Sequence, residues 1–295
     1  MNVFRRLRTT KVPTMPAASV DDTRVRELEQ QLDELTRGFD AKLLDVLRKG
    51  YAAGPLLEMG YPGVDLKLVA AAKKRQKEHE SEPYISDWIE RCFGEDDVFY
   101  DVGANVGTYS LIAAGVGLPR GHVYAFEPSF STYAVLCENV FVNGLGDRIT
   151  TLPVALGGAT ALETFRYSNL RPGAAKHNWP TGETAYTHRV LGYRLDDLVR
   201  QLDLPLPNHI KIDIDGGEPD LLRGATEVLS SPSLQTLIVE LLTWTEEAVV
   251  AELAAHGFAL IHTYVRPPSP VTCGLFARSE GNLLELLGIQ PESSI

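Results

Sequence analysis

From Asp97 onward, short apolar runs alternate with amphipathic helical segments, and this alternation constrains the fold more than any other feature. Strands are expected at 98–103 (VFYDVG), 122–127 (HVYAFE), 149–156 (ITTLPVAL), 209–214 (HIKIDI) and 234–241 (LQTLIVEL). Helices fit 107–116, 129–142, 218–230 and 245–256. Strands separated by helices pair in parallel, so the pattern predicts an α/β fold with a mostly parallel sheet covered by helices on both faces. Two last strands, 258–264 and 272–277, flank RPPSP with no helix between them, which predicts an antiparallel hairpin at one edge.

The region before Asp97 has a different texture. Residues 1–20 carry Arg5, Arg6, Arg8 and Lys11 with no acid, and with Pro13 and Pro16 they read as a flexible basic tail. Residues 21–92 read as an N-terminal helical extension. Within it Val25, Leu28, Leu32, Leu35, Phe39, Leu43 and Val46 recur at spacings of three and four and form one apolar stripe. That stripe needs a cover, either a second chain (a homodimer through 21–48) or the protein's own main domain. Residues 64–92 again look helical. The main domain is expected over 93–280, and 281–295 reads as a C-terminal tail.

Charge and composition exclude several classes of function. Lys and Arg number 28 against 39 Asp and Glu, a net charge of −11, which argues against a nucleic-acid partner. No apolar run is long enough to span a bilayer. The three cysteines, Cys92, Cys137 and Cys273, contain no CxxC pair, so neither a zinc site nor a disulfide framework is expected. No apolar stretch follows the basic start, so a secretory signal is not expected and the reading places the protein in the cytoplasm.

Ligands of open α/β sheets bind at the carboxyl ends of the strands. The first such end is Asp101-Val102-Gly103-Ala104-Asn105-Val106-Gly107, an acid before a short glycine turn. It is not GxGxxG, and an acid aimed into the turn suits a cation or an amine better than a pyrophosphate. The second end is Glu127-Pro128, where a carboxylate can accept both hydrogens of a ribose diol. Together these ends suit S-adenosylmethionine, which carries an amine, a sulfonium and a free diol. The alternative is a purely structural strand–helix turn.

Further along stands Lys211-Ile212-Asp213-Ile214-Asp215-Gly216-Gly217-Glu218. Strand alternation predicts that Lys211, Asp213 and Asp215 share one face. Charges on a central strand are costly to bury without a purpose. Asp215 and Glu218 also fit a capping box at the start of the next helix, and a paired-Asp magnesium site is a weaker alternative, so no metal is expected. Glu240 ends the fifth strand and is a candidate wall of an acceptor pocket. The segment 168–190 is rich in Gly and Pro and carries His177, Trp179, Tyr186 and His188; it reads as a loop over the acceptor side. His209 precedes a buried strand and is expected to be structural.

DVGANVG, AFEP, LGYRLDDL, KIDIDGGEPDLLRGA and VEL occur in an order that resembles the FkbM family of S-adenosylmethionine-dependent methyltransferases, over roughly residues 97–265. The resemblance implies a class I, Rossmann-like fold with a seven-stranded sheet whose last strand is antiparallel. It implies S-adenosylmethionine as methyl donor, and a hydroxyl acceptor on a sugar or other natural-product scaffold such as a polyketide. By the same resemblance Asp101, Gly103, Asn105 and Gly107 line the methionine end of the cofactor, Glu127 and Pro128 the ribose, and Ala155 and Leu156 the adenine. Asp213 then lies where the methyl should be and is the first candidate for base or orienting group, with His177 and His188 behind it. Trp179, Tyr186, Asp215 and Glu240 are assigned to the acceptor. Family members commonly have Glu where this chain has Asp215. N-methylation, a non-catalytic cofactor-binding scaffold and a nicotinamide dehydrogenase are the rival readings.

Overall fold

In the computed structural model, which describes residues 56–167, 169–173, 186–265, 271–279 and 283–289, the chain enters through a hairpin of Leu56–Glu58 (β1) and Lys67–Val69 (β2). A 3-10 turn over Ala70–Arg75 and two helices, Glu78–Ser81 (α1) and Pro83–Cys92 (α2), follow. The helical expectation for 64–92 is therefore corrected: its first part is a strand, and the regular helix begins only at Glu78. The basic tail, the helix expected over 21–48, and both His177 and Trp179 lie outside the described residues.

The alternating region folds as its pattern predicts. In chain order it contains Val98–Val102 (β3), Thr108–Ile112 (α3), His122–Phe126 (β4), Phe130–Val142 (α4) and Ile149–Leu152 (β5). After an inserted small sheet come Leu195–Leu202 (α5), His209–Ile212 (β9), Glu218–Arg223 (α6), Thr226–Ser230 (α7), Thr236–Leu241 (β10), Glu246–Ala255 (α8), Ala259–Val265 (β11) and Thr272–Ala277 (β12). The inserted sheet is Ala155–Leu156 (β6), Ala161–Tyr167 (β7) and Tyr186–Tyr193 (β8), in the order β6-β8-β7. Pro153 splits the expected strand 149–156 into β5 and β6, because a proline has no N–H to give a ladder. Gly224 similarly divides the expected helix 218–230. A short helix, Leu283–Leu287 (α9), occupies part of the expected C-terminal tail, and Arg91 on α2 donates to the Leu286 carbonyl at 3.1 Å.

Seven strands form the main sheet in the order β11-β12-β10-β9-β3-β4-β5. The five from β10 to β5 are parallel, and β12 runs antiparallel to both β10 and β11. This is the class I methyltransferase arrangement, with the last strand in the chain inserted antiparallel. Every residue of β9 and β10 is buried, as expected for central parallel strands covered on both faces.

The two faces carry separate cores. One gathers Tyr100, Phe126, Ile210, Leu222 and Leu253. The other joins Phe99, Leu111 and Leu136 to Met59, Leu68, Ile85 and Trp88 from the N-terminal elements. Residues 56–92 thus share the hydrophobic core of the sheet. Trp88 Nε1 donates to Thr236 Oγ1 at 2.8 Å, and the same hydroxyl lies 2.7 Å from His209 Nδ1. His209 Nε2 meets Asp97 at 3.0 Å and its ring stacks on Phe93, so this histidine is a structural pin. Burial lowers its pKa. Burial also raises the thiols of Cys92 and Cys273 to about 11. Among the described residues no helix is long and apolar enough to cross a membrane.

Candidate active site

β3 stops at Val102 and the chain turns through Gly103–Gly107 into α3. Gly103 has φ +76, and a Cβ there would lie 1.9 Å from the Asp213 carbonyl oxygen, so only glycine fits between β3 and the end of β9. The N–H groups of Gly103 and Ala104 both donate to the Phe126 carbonyl at 3.0 Å, tying the turn to β4. Asn105 adopts φ 54, and its N–H donates to Glu127 Oε2 at 3.0 Å. The other oxygen of Glu127 accepts the Ser129 N–H at 2.8 Å. Burial pushes the Glu127 carboxyl up to about 7, against the pull of these two backbone donors.

Beside this turn a pocket opens at the carboxyl ends of the strands. Val102, Gly103, Phe126 and Pro128 form one wall, Val154, Ala155, Leu156 and Phe165 a second, and Ile214–Gly217 with Trp244 a third. Ala155 and Leu156 come from β6, beyond the Pro153 break. An apolar slot with a buried diol acceptor beside it fits a nucleoside, and the residues present suit S-adenosylmethionine. The expected site residues do not all face this pocket. Asp101 is fully buried behind it; it accepts from Ser110 at 2.6 Å and lies 3.7 Å from Lys211 Nζ, and burial raises its pKa.

The expected shared face of Lys211, Asp213 and Asp215 holds only in part. Lys211 Nζ pairs with Asp213 Oδ2 at 3.4 Å, so those two side chains do meet. The ladder ends at Ile212, however, and Asp215 sits at φ 57, where the chain turns away. Asp215 and Ile214 line the pocket, while Lys211 lies buried beside Asp101. The capping box is likewise half formed. Glu218 Oε1 reaches back to the N–H groups of Ile214 and Gly216 at 3.2 and 3.1 Å, but Gly217 is the residue at the cap. Burial raises Glu218 to about 7.

Glu240 is buried at the end of β10, and among the described residues its Oε2 has no hydrogen-bond partner. Burial first, then Asp213, Asp215 and Glu218, push its carboxyl up to about 9, with Lys211 pulling the other way. Among the described residues no group of three or more His, Cys, Asp and Glu side chains is placed to hold a metal ion.

Tyr186 and His188, expected on a loop, stand on β8, which pairs antiparallel with β7. The His188 ring stacks on Tyr167 with centroids 5.3 Å apart and meets Phe130 edge-on at 5.4 Å. Tyr167 in turn accepts the Phe130 N–H at 3.1 Å. This aromatic group flanks Ser129 and Glu127, just after β4. His188 is thereby brought together with the residues after β4 and not with Asp213.

Some residues around the site carry no sequence signal. Trp244, 57% exposed, forms part of the pocket mouth beside Gly216. Glu78 on α1 accepts the Thr108 hydroxyl at 2.8 Å, and Tyr84 on α2 donates to Cys273 Sγ at 3.3 Å. These last two come from the N-terminal elements, which lie outside the motif-bearing region.

The family model of the methyltransferase FkbM domain matches residues 101–260, more than half of the chain. The hexuronic acid methyltransferase AglP of Haloferax volcanii is 30% identical over 55% of this chain and 63% of its own length, so the chain spans less than two thirds of that relative. The 31-O-demethyl-FK506 methyltransferase FkbM of Streptomyces tacrolimicus is 26% identical over 56% of this chain and 74% of its own. Among solved structures, methyltransferase FkbM from Methylobacillus flagellatus aligns with a TM-score of 0.48 and 18% identity, covering 70% of this chain and 52% of that one.

Proposed function

The chain belongs to the FkbM methyltransferase family, with S-adenosylmethionine as its methyl donor, and on that premise we propose that it methylates a hydroxyl group on a sugar or other natural-product scaffold. The names of two relatives support this reading: one is a hexuronic acid methyltransferase, which gives a sugar, and the other a 31-O-demethyl-FK506 methyltransferase, which gives an oxygen. One observation carries the reading. The Lys211–Asp213 pair and the unpartnered Glu240 oxygen stand together at the ends of β9 and β10, next to the pocket that fits the cofactor's nucleoside.

When bound, the cofactor supplies a methyl group already activated on a positively charged sulfur. The protein's own task is then positioning and proton management. Glu127 holds the ribose diol, and the apolar wall of Ala155 and Leu156 takes the adenine. The carboxylate of Asp213, oriented by Lys211, accepts the proton that an acceptor hydroxyl gives up. Glu240, held protonated near neutral pH, donates a hydrogen bond to a neighbouring oxygen of the acceptor. Asp215 completes the polar lining of the pocket, and Trp244 and Phe165 its aromatic lining.

The experiment is methyl transfer to a panel of hydroxylated, carboxylated and amino acceptors, read as S-adenosylhomocysteine release, with the methylated position assigned by NMR. Transfer to hydroxyl oxygen supports the proposal. Transfer to nitrogen alone, or cofactor binding with no transfer to any acceptor, overturns it.

A further inference from the structure

The segment between β2 and α2 lies outside the matched family domain, yet it reaches the glycine turn. Arg75, at the end of the 3-10 turn, donates from Nε to the Gly173 carbonyl at 2.9 Å. Its Nη1 pairs with Glu78, which also accepts the Thr108 hydroxyl at 2.8 Å. Thr108 is the first residue of α3, directly after the turn.

Gly173 places the arginine more closely. A Cβ built on Gly173 would stand 3.2 Å from Arg75 Cγ, 3.5 Å from Val106 Cγ1 and 3.7 Å from Asn105 Oδ1. The stem of Arg75 therefore passes against the same turn whose other side is fixed by Glu127. Glu78 and Asp213 lie close enough to act on the guanidinium through their charge. Among the described residues Arg75 Nη2 has no hydrogen-bond partner, and the side chain keeps 19% of its surface exposed.

A ligand whose diol rested on Glu127 and which extended along the glycine turn would bring its far end to the side of Val106 and Thr108. For S-adenosylmethionine that end is the amino-acid arm, which carries the ligand's single negative charge. The surroundings are acidic: Asp101, Asp213 and Glu78 all lie near. Lys211 is buried and committed to Asp101 and Asp213 at 3.7 and 3.4 Å. Among the described residues Arg75 keeps Nη2 without a partner at the edge of its planar guanidinium, a donor that suits a carboxylate.

We infer that Arg75 holds the carboxylate of the cofactor's methionine arm, so that the strap of residues 70–78 completes the cofactor site from outside the family domain. The inference rests on the cofactor assignment above and extends it to a residue the family match does not reach. Glu78 is then a positioning residue: it fixes the guanidinium and ties it to α3 through Thr108.

Calorimetry with two ligands tests it on the full chain. S-adenosylhomocysteine has the amino-acid arm; 5′-methylthioadenosine has the same thionucleoside without it. Arg75→Ala should weaken S-adenosylhomocysteine roughly tenfold to a hundredfold, the size expected for a lost charge-assisted pair. Binding of 5′-methylthioadenosine should stay within about twofold, which also reports an intact fold. Arg75→Lys keeps the charge but loses the fork, and should fall between wild type and Arg75→Ala for S-adenosylhomocysteine alone. Equal weakening of both ligands in the two variants, or no weakening of either, makes Arg75 a structural brace and overturns the inference. Wild-type protein that binds neither ligand defeats the cofactor assignment itself, before any variant is compared.

Discussion

Asn105 donates its backbone N–H to Glu127 Oε2 at 3.0 Å, so the turn after β3 and the carboxylate after β4 form one unit. A second backbone donor, Ser129, holds the other carboxylate oxygen. Glu127 therefore shapes the turn, and in the proposed function it also receives the ribose. Each of its oxygens retains a lone pair for a hydroxyl.

Glu127→Ala should consequently lower affinity for S-adenosylhomocysteine at least tenfold and also destabilise the turn. Glu127→Gln keeps the shape and one acceptor oxygen, and should lie between the two. Titration calorimetry gives the affinities; an alanine variant that binds as tightly as wild type removes Glu127 from the cofactor site.

Asp213→Asn should keep cofactor affinity and slow methyl transfer by roughly a hundredfold or more, the usual penalty for a missing general base. Single-turnover rates separate the chemistry from product release. A rate within threefold of wild type assigns the proton to another group.

The buried carboxyls give a signed pH dependence. Glu240 is raised to about 9, and Glu127 and Glu218 to about 7, burial being the first cause in each case. An acid raised by folding stabilises the native state only while it keeps its proton. Its contribution is complete below the unfolded value near 4.3 and is lost as pH rises through the folded value. The ligand-free protein should therefore lose stability from about pH 5 to pH 9, by no more than about 1.4 kcal/mol per pH unit for each proton. Urea midpoints across this range measure the slope, and Glu240→Gln should flatten its upper half. Parallel profiles for the two proteins would mean that Glu240 titrates as it does in the unfolded chain.

Gly103→Ala should be costly for two reasons: the residue sits at φ +76, and the new methyl would meet the Asp213 carbonyl. Loss of at least about 2 kcal/mol of stability is expected, together with weaker cofactor binding, because β3 must separate from the end of β9. Chemical denaturation reads the first and calorimetry the second. A change below about 0.5 kcal/mol would show that the backbone yields there at little cost.

The main sheet is readable from the chain because its central strands are buried on both faces and separated by helices, which leaves runs dominated by apolar residues such as TLIVEL. The glycine turn and Glu127 were readable for a similar reason, since they follow directly on those runs. The inserted sheet was not. Its β7 and β8 alternate exposed and buried residues, and the Gly/Pro-rich segment between them drew Tyr186 and His188 into an expected loop. Strand alternation cannot place Asp215, because β9 ends at Ile212 and Asp215 itself turns left-handed at φ 57. Arg75 and Glu78 could not be singled out at all. They lie in a charged helical-looking run, KKRQKEHE, and only the tertiary fold brings them to the turn.

The position of β12 sets the order in which the sheet can be finished. It lies between β10 and β11 although it follows both in the chain. As the polypeptide leaves the ribosome, β10 and β11 emerge first and face an empty slot until Thr272–Ala277 arrives. During that interval the outer edge of β10, apolar along TLIVEL, has no partner and is open to pairing with another nascent chain. Loss of the last thirty or so residues would therefore not shorten an edge of the sheet. It would leave β11 with no strand to hold it and Glu240 without its cross-strand neighbour Cys273.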